Sequence, residues 1–327
     1  MKEFSSDEKP LVTIFGGAGY IGSILTRLLL AENFRVRVFD NFLFGDIGIK
    51  GLIHDDLEVI EGDLTDTKAV SVAVEGSETI ILLASVIGHR IENIRRTDLR
   101  NVNLLGSSVL LDAALEHGVS RFIFASTNSI YGVQSGMIYE TTIPEPVSLF
   151  SRLKLRMEER VIRAKSKYFH PTALRIASCH GFSPRMRFDL VVNRMVRDAV
   201  FKKEIHINGG EQFRALIHVE DVARAFLSCI NAHVNLVSGQ IFNVAAKDQI
   251  VQVNYLANIA KSIFHDIKVV VHPMEPDLKE FRISSSRIEK ILDFTPRWSI
   301  ENSMTQLKEI LESGVVKDPY SLKHISG

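Results

Sequence analysis

Three glycines and one carboxylate carry the first chemical signal in the chain. Gly16, Gly19 and Gly22 recur at every third residue of Gly16-Gly-Ala-Gly19-Tyr-Ile-Gly22. That spacing lets a strand turn tightly into a helix and brings the backbone N–H groups of the turn close to an anion. Asp40 follows at the end of the next apolar alternation, where a carboxylate accepts the hydroxyls of a ribose. Loop and acid together predict a dinucleotide site, with Gly16, Gly19, Tyr20, Ile21, Gly22, Asp40 and Asn41 along it. Asp40 repels a 2′-phosphate, and no arginine stands between it and Gly45, so NAD is expected rather than NADP.

The elements that must hold these residues alternate. Leu11-Val-Thr-Ile-Phe15 reads as a buried strand and Tyr20–Ala31 as a helix with Ile21, Ile24, Leu25, Leu28 and Leu29 on one face. Strands are predicted at Arg35–Phe39, Leu57–Ile60, Thr79–Leu83, Arg121–Phe124 and Thr172–Ile176. Helices are predicted at Asp66–Val74, Asn93–His117 (closed by Gly118) and Ser148–Lys165. Such alternation gives an α/β fold, a doubly wound parallel sheet of the Rossmann type. Past Gly181 the pattern loosens into helices near Phe188–Phe201, Val219–Asn231, Val253–Phe264 and Glu301–Glu312, with short strands at Glu204–Ile207 and Ile241–Val244. The expected organisation is a disordered tail over 1–9, a dinucleotide domain over 10–180 and a smaller mixed α/β lobe over 181–327.

The glycine spacing resembles that of the extended short-chain dehydrogenase/reductases, the NAD-dependent nucleotide-sugar epimerases and dehydratases of the UDP-glucose 4-epimerase type. Gly62-Asp63-Leu64 is similar to that family's adenine-contacting turn, and Leu82-Leu83-Ala84-Ser85 to the segment lining its cofactor, with Ile81 in place of a histidine. Asn103 matches an asparagine in the long helix. Phe124-Ala-Ser126-Thr127-Asn-Ser-Ile-Tyr131-Gly132 resembles the strand ending in the catalytic Ser/Thr, and Arg214 through Asp221 resembles a further family stretch. The resemblance runs from about residue 10 to 300.

It implies oxidation of a sugar hydroxyl with bound NAD, assisted by a Tyr-x-x-x-Lys pair whose lysine lowers the phenol pKa from ~10 and grips the nicotinamide ribose. Thr127 and Lys154 fall on the implied catalytic positions, but Phe150 stands where the tyrosine belongs, and a phenyl ring exchanges no proton. Three readings stay open. The base is lost from an otherwise intact site; Tyr131, His89 or His180 replaces it; or the chain binds nucleotides without chemistry. Asn128-Ser129 follow Thr127 where dehydratases carry Asp-Glu, so the pattern is nearer to epimerases, whose keto-sugar only has to rotate. Arg214 and Arg282 are spaced like diphosphate-holding arginines, Asn193 resembles a diphosphate or nucleobase contact, and the basic loop Pro184-Arg-Met-Arg187 closes over the same phosphates in this reading.

Composition excludes other classes. Lys plus Arg number 39 against 39 Asp plus Glu, which gives no basic footprint for nucleic acid or a membrane surface. Cys179 and Cys229 cannot build a disulfide framework and fit a reducing compartment, so a cytoplasmic location is expected. No spacing suits a metal. The helix Asn93–His117 carries two apolar rows: Val102, Leu105, Val109 and Ala113 in one, Leu104, Leu111 and Leu115 in the other. With Leu153, Leu155, Met157, Val161 and Ile162 of the next helix they suggest a homodimer, which in the family forms a four-helix bundle.

Overall fold

Seven parallel strands form the central sheet of the protein, a computed structural model that describes residues 9–87, 96–273 and 282–325. In chain order its first five strands are β1 (Leu11–Phe15), β2 (Arg35–Asp40), β3 (Leu57–Glu61), β4 (Thr79–Leu82) and β5 (Arg121–Thr127). After them come β6 (Met137–Ile138), β7 (His170–Ile176), β8 (Ser178–His180), β9 (Glu204–Asn208), β10 (Phe213–His218) and β11 (Gln240–Val244). The last are β12 (Ile250–Gln252), β13 (Lys268–His272) and β14 (Arg282–Ile283). The main sheet runs β11-β7-β5-β4-β1-β2-β3, so the order reverses between β1 and β4 and opens a crevice at their carboxyl ends. The expected doubly wound sheet is therefore present.

Helices cover both faces because the inner strands are apolar on both. Val12, Ile14, Phe15, Ile80, Ile81, Leu82, Phe122, Ile123 and Phe124 are all buried. On one face α1 (Gly22–Ala31) packs Leu25 and Leu29 into a core shared with Val222 and Phe226 of a later helix. On the other, α2 (Thr67–Val74), capped by Asp66, shares a core with α4 (Ser107–Glu116) and with α5 (Leu149–Arg163), capped by Ser148. The short α3 (Arg96–Arg100) and α4 are joined by a π-helical segment, Asn101–Gly106, so the long helix is not uniform as its sequence suggested; the expected start at Asn93 lies outside the described residues. The wider turn has a physical reason: it points Asn103 inward and lays Gly106 against Leu64, where a Cβ would come 2.9 Å from the Leu64 carbonyl oxygen.

Two expectations need correction. Ile241–Val244 was assigned to the second lobe, yet β11 pairs in parallel with β7 and completes the main sheet. The chain leaves the sheet after β7, builds α6 (Val191–Lys202) and α7 (Val219–Asn231), and returns. Leu111 belongs to an apolar row expected to face a second copy, but it is 1 % exposed and shares a core with Val70, Ala73 and Val74 of α2. Leu105 and Leu115 are the exposed leucines of that helix. The smaller lobe is built from the β8–β10–β12 and β9–β13 sheets, over a core that includes Met195, Leu256 and Leu307. Among the described residues no helix is long and apolar enough to cross a membrane.

Behind β5 lies a polar network within this apolar body. Arg175 of β7 pairs with Glu158 of α5 at 2.7 Å, both nearly excluded from water, and donates to the Tyr131 hydroxyl at 2.8 Å. That hydroxyl in turn donates to Asn243 Oδ1 of β11 at 2.7 Å. Removing one partner of such a pair strands a buried charge, so Glu158→Ala should lose about 3–5 kcal/mol of unfolding free energy in urea titration. The compensated double variant Glu158→Leu/Arg175→Met should recover most of it. Equal stability of the single variant and the native chain would contradict this role.

Candidate functional site

The crevice between β1 and β4 is walled by the residues the glycine spacing marked. Gly16 takes φ +90°, and a Cβ there would meet the Ala84 backbone nitrogen at 2.6 Å; at Gly22 a Cβ would lie 2.2 Å from the Gly16 carbonyl oxygen. Only glycine permits this approach. Gly16, Gly19, Tyr20, Ile21, Gly22, Asp40, Asn41, Asp63, Leu64, Leu83, Ala84 and Ser85 all line one groove. Asp40 accepts from Ala18 N–H at 3.0 Å and Phe42 N–H at 2.9 Å, which fixes its carboxylate at the tip of β2. Burial raises its pKa, against the pull of these amides and of Arg185. Asn41 donates to Asp63 at 3.2 Å and links the turns that follow β2 and β3.

Asn103 acts through its neighbours. Its Oδ1 accepts from Ser85 Oγ and Val86 N–H, each at 2.9 Å, and its Nδ2 donates to Val86 O at 2.6 Å. It thereby shapes the Leu83–Ser85 wall without facing the groove.

At the carboxyl end of β5 the structure places Thr127 and the α5 residues. Thr127 Oγ1 lies 3.0 Å from Ser129 Oγ and accepts from the Ser129 N–H, while Ser126 Oγ and Asn128 Nδ2 are buried with no hydrogen-bond partner among the described residues. Lys154, 4 % exposed, donates to the Ala125 carbonyl at 2.9 Å. Its Nζ lies 4.8 Å from the centroid of the Phe124 ring and 6.0 Å from that of Phe150. Burial pulls its pKa down to about 7. Phe150, one helical turn earlier, packs with Val86, Leu99 and Leu153.

Two of the replacement bases are occupied elsewhere. The Tyr131 hydroxyl is held between Arg175 and Asn243, and burial pushes its pKa up to about 12. His180 is enclosed by Ser303 and Gln249, and burial lowers it to about 4. His89 lies outside the described residues.

Of the substrate-side residues, Arg214 and Arg282 meet around Phe213. Arg214 donates to the Phe213 carbonyl at 2.9 Å, and the Arg282 guanidinium carbon sits 4.0 Å from the centroid of the Phe213 ring. Asn193 is fully buried elsewhere: it accepts from Gly181 N–H and donates to the Tyr20 hydroxyl and the Arg187 carbonyl. It therefore positions the loop carrying Arg187. Phe44 and Cys179, which the sequence does not mark, line the same groove, and so do Arg185 and Arg187 of the basic loop. Their placement depends on packing between distant segments.

Lys154 also makes stability pH-dependent. The unfolded chain keeps this proton up to the ordinary lysine pKa of ~10.4. Between pH 7 and 10 the unfolded state thus binds more protons, so stability rises with pH and is lost as pH falls through about 7. Relative to Lys154→Met, the native chain should gain about 2 kcal/mol of unfolding free energy from pH 7 to 9 in urea titration. A pH-independent difference would contradict a buried, unpaired Lys154.

Comparison with known proteins agrees with this geometry. Residues 12–245 match the NAD dependent epimerase/dehydratase family. A UDP-glucose 4-epimerase of Corynebacterium glutamicum is 25 % identical over 323 residues, covering 93 % of this chain and 94 % of the relative. Among solved structures, a UDP-glucose 4-epimerase of Thermotoga maritima with UDP-glucose superposes with TM-score 0.82 at 24 % identity, covering 94 % of this chain and 100 % of the other. A UDP-glucuronic acid 4-epimerase of Bacillus cereus, in complex with UDP-glucuronic acid and NAD, gives 0.83 at 21 % identity over 93 % and 99 %. The family match, over a groove that gathers the glycine turn and Asp40, makes this chain a member of the NAD dependent epimerase/dehydratase family, with NAD as its cofactor.

Proposed function

We propose that the protein epimerises a nucleotide sugar through a transient keto-sugar, with Lys154 rather than a tyrosine as the proton acceptor. The observation that carries this reading is the environment of Lys154: buried beside Ala125 at the end of β5, with Phe150 where a phenol would stand. NAD supplies the hydride acceptor. Thr127 holds the reacting hydroxyl, and the neutral Lys154 amine takes its proton as the carbonyl forms, becoming an ammonium that returns the proton when the hydroxyl is restored. A group with pKa near 7 suits a base at neutral pH. Arg214 and Arg282 bind the diphosphate, and Thr127 with Asn128 offers hydrogen bonds to the sugar. Asn128 and Ser129 carry no acid for water elimination, which favours epimerisation over dehydration. Tyr131 and His180, held in buried hydrogen bonds, do not compete for the role.

The test begins with a screen of nucleotide sugars for thermal stabilisation, since a ligand of the folded state raises apparent stability whether or not it turns over. With a binder in hand, turnover should rise with pH through about 7 and vanish in Lys154→Met while binding persists. Phe150→Tyr should increase turnover by roughly 10-fold or more, within the usual range for a positioned acid–base group. A binder that never turns over in the native chain would instead make this a silent NAD and nucleotide-sugar binding protein.

For assembly, we propose a homodimer in which the exposed Leu105 and Leu115 pack across a two-fold axis near the exposed Asp112–Arg160 ion pair. Leu105→Glu should give monomers by light scattering, and a native chain already monomeric at micromolar concentration would overturn this.

A further inference from the structure

Arg185 belongs to the loop between β8 and α6, in the second lobe, yet its side chain lies against the cofactor groove. It is 2 % exposed. Its guanidinium carbon sits 4.2 Å from the centroid of the Phe44 ring, on the loop after β2. Nε and one terminal nitrogen are buried with no hydrogen-bond partner among the described residues. The acids nearby are engaged: Asp189 pairs with Arg187, and Asp40 accepts from two backbone amides. A buried guanidinium with idle donors is costly, and native proteins keep such groups for an anion. Burial, with Arg187 beside it, lowers its pKa to about 10, so it still carries its charge at neutral pH.

The loop is also held in register with the glycine turn. Ser183 Oγ donates to the Tyr20 carbonyl and meets Ser23 Oγ, each at 2.8 Å, and the Tyr20 hydroxyl donates to the Gly181 carbonyl at 2.7 Å. The guanidinium is therefore fixed between the glycine turn and Asp40, the two ends of the adenosine half of a dinucleotide site.

We propose that Arg185 is a latch on the phosphate bridge of the bound dinucleotide, supplied by the second lobe. This rests on the NAD assignment. A diphosphate placed there meets backbone amides of the glycine turn and a bidentate cation already desolvated. Such a latch would retain a cofactor that the proposed epimerisation reduces and reoxidises within one cycle.

Calorimetric titration of the native chain, Arg185→Met and Arg185→Lys with NAD, NADP, ADP, adenosine and UDP tests the assignment. Arg185→Met should weaken NAD and ADP in parallel by roughly 10- to 100-fold, the range of a charge-assisted hydrogen bond. Adenosine, which lacks the bridge, should bind both proteins alike, and Arg185→Lys should fall between. Protein purified as Arg185→Met should carry correspondingly less NAD. Unchanged NAD affinity in a folded Arg185→Met or Arg185→Lys protein would overturn the latch. So would a loss confined to NADP, which would put the guanidinium at the 2′ position, or one confined to UDP, which would put it on the substrate side. Failure of the native chain to bind NAD at all would instead refute the cofactor assignment on which the latch rests.

Discussion

The ion pair between Arg175 and Glu158 fixes the helix that carries Lys154 and Phe150 to the sheet beneath it. Glu158 lies one turn beyond Lys154 on α5, and Arg175 lies on β7 between β5 and β11. Because Arg175 also reaches Tyr131, and Tyr131 reaches Asn243, one set of hydrogen bonds spans three parts of the chain far apart in sequence. Hydrophobic packing alone tolerates small slides of a helix over a sheet, whereas a bidentate charged contact in low dielectric does not. The position of the Lys154 amine beside Ala125 follows from that rigidity.

Lys154 and Arg185 show the same device on two sides of the site. Each is a buried nitrogen group with no carboxylate hydrogen-bonded to it among the described residues, but burial has different consequences for them. The lysine, with its softer basicity, is pulled toward losing its proton near neutrality, as the proposed base requires. The guanidinium stays charged, as the proposed phosphate latch requires. Residue type, more than degree of burial, separates chemistry from binding here.

Much of the site was legible because it rests on local rules. The glycine turn, Asp40 and the Phe150–Lys154 helical turn need only strand, loop and helix in succession, and each appears where its spacing put it. What escaped was long-range. β11 is a short apolar run like several in the second lobe, and only its pairing with β7 assigns it to the main sheet. Leu111 sits on a periodic row, but periodicity does not say that α2 covers it. The π-helical segment has ordinary helical composition, and its cause is a contact between Asn103 and the loop after β4. Arg185 read as a loop cation until Phe44, from a distant turn, came to lie against it.

The return of the chain to β11 has a consequence for birth on the ribosome. The nascent sheet has β7 as an open edge until α6, α7 and their intervening strands have been synthesised. During that interval the backbone groups of His170–Ile176 on that side lack their final partner, and an unpaired edge invites pairing with the wrong chain. Tyr131 and Arg175 wait for Asn243 over the same interval. The polar network behind β5 is thus completed late in synthesis, by a strand that belongs to the second half of the message.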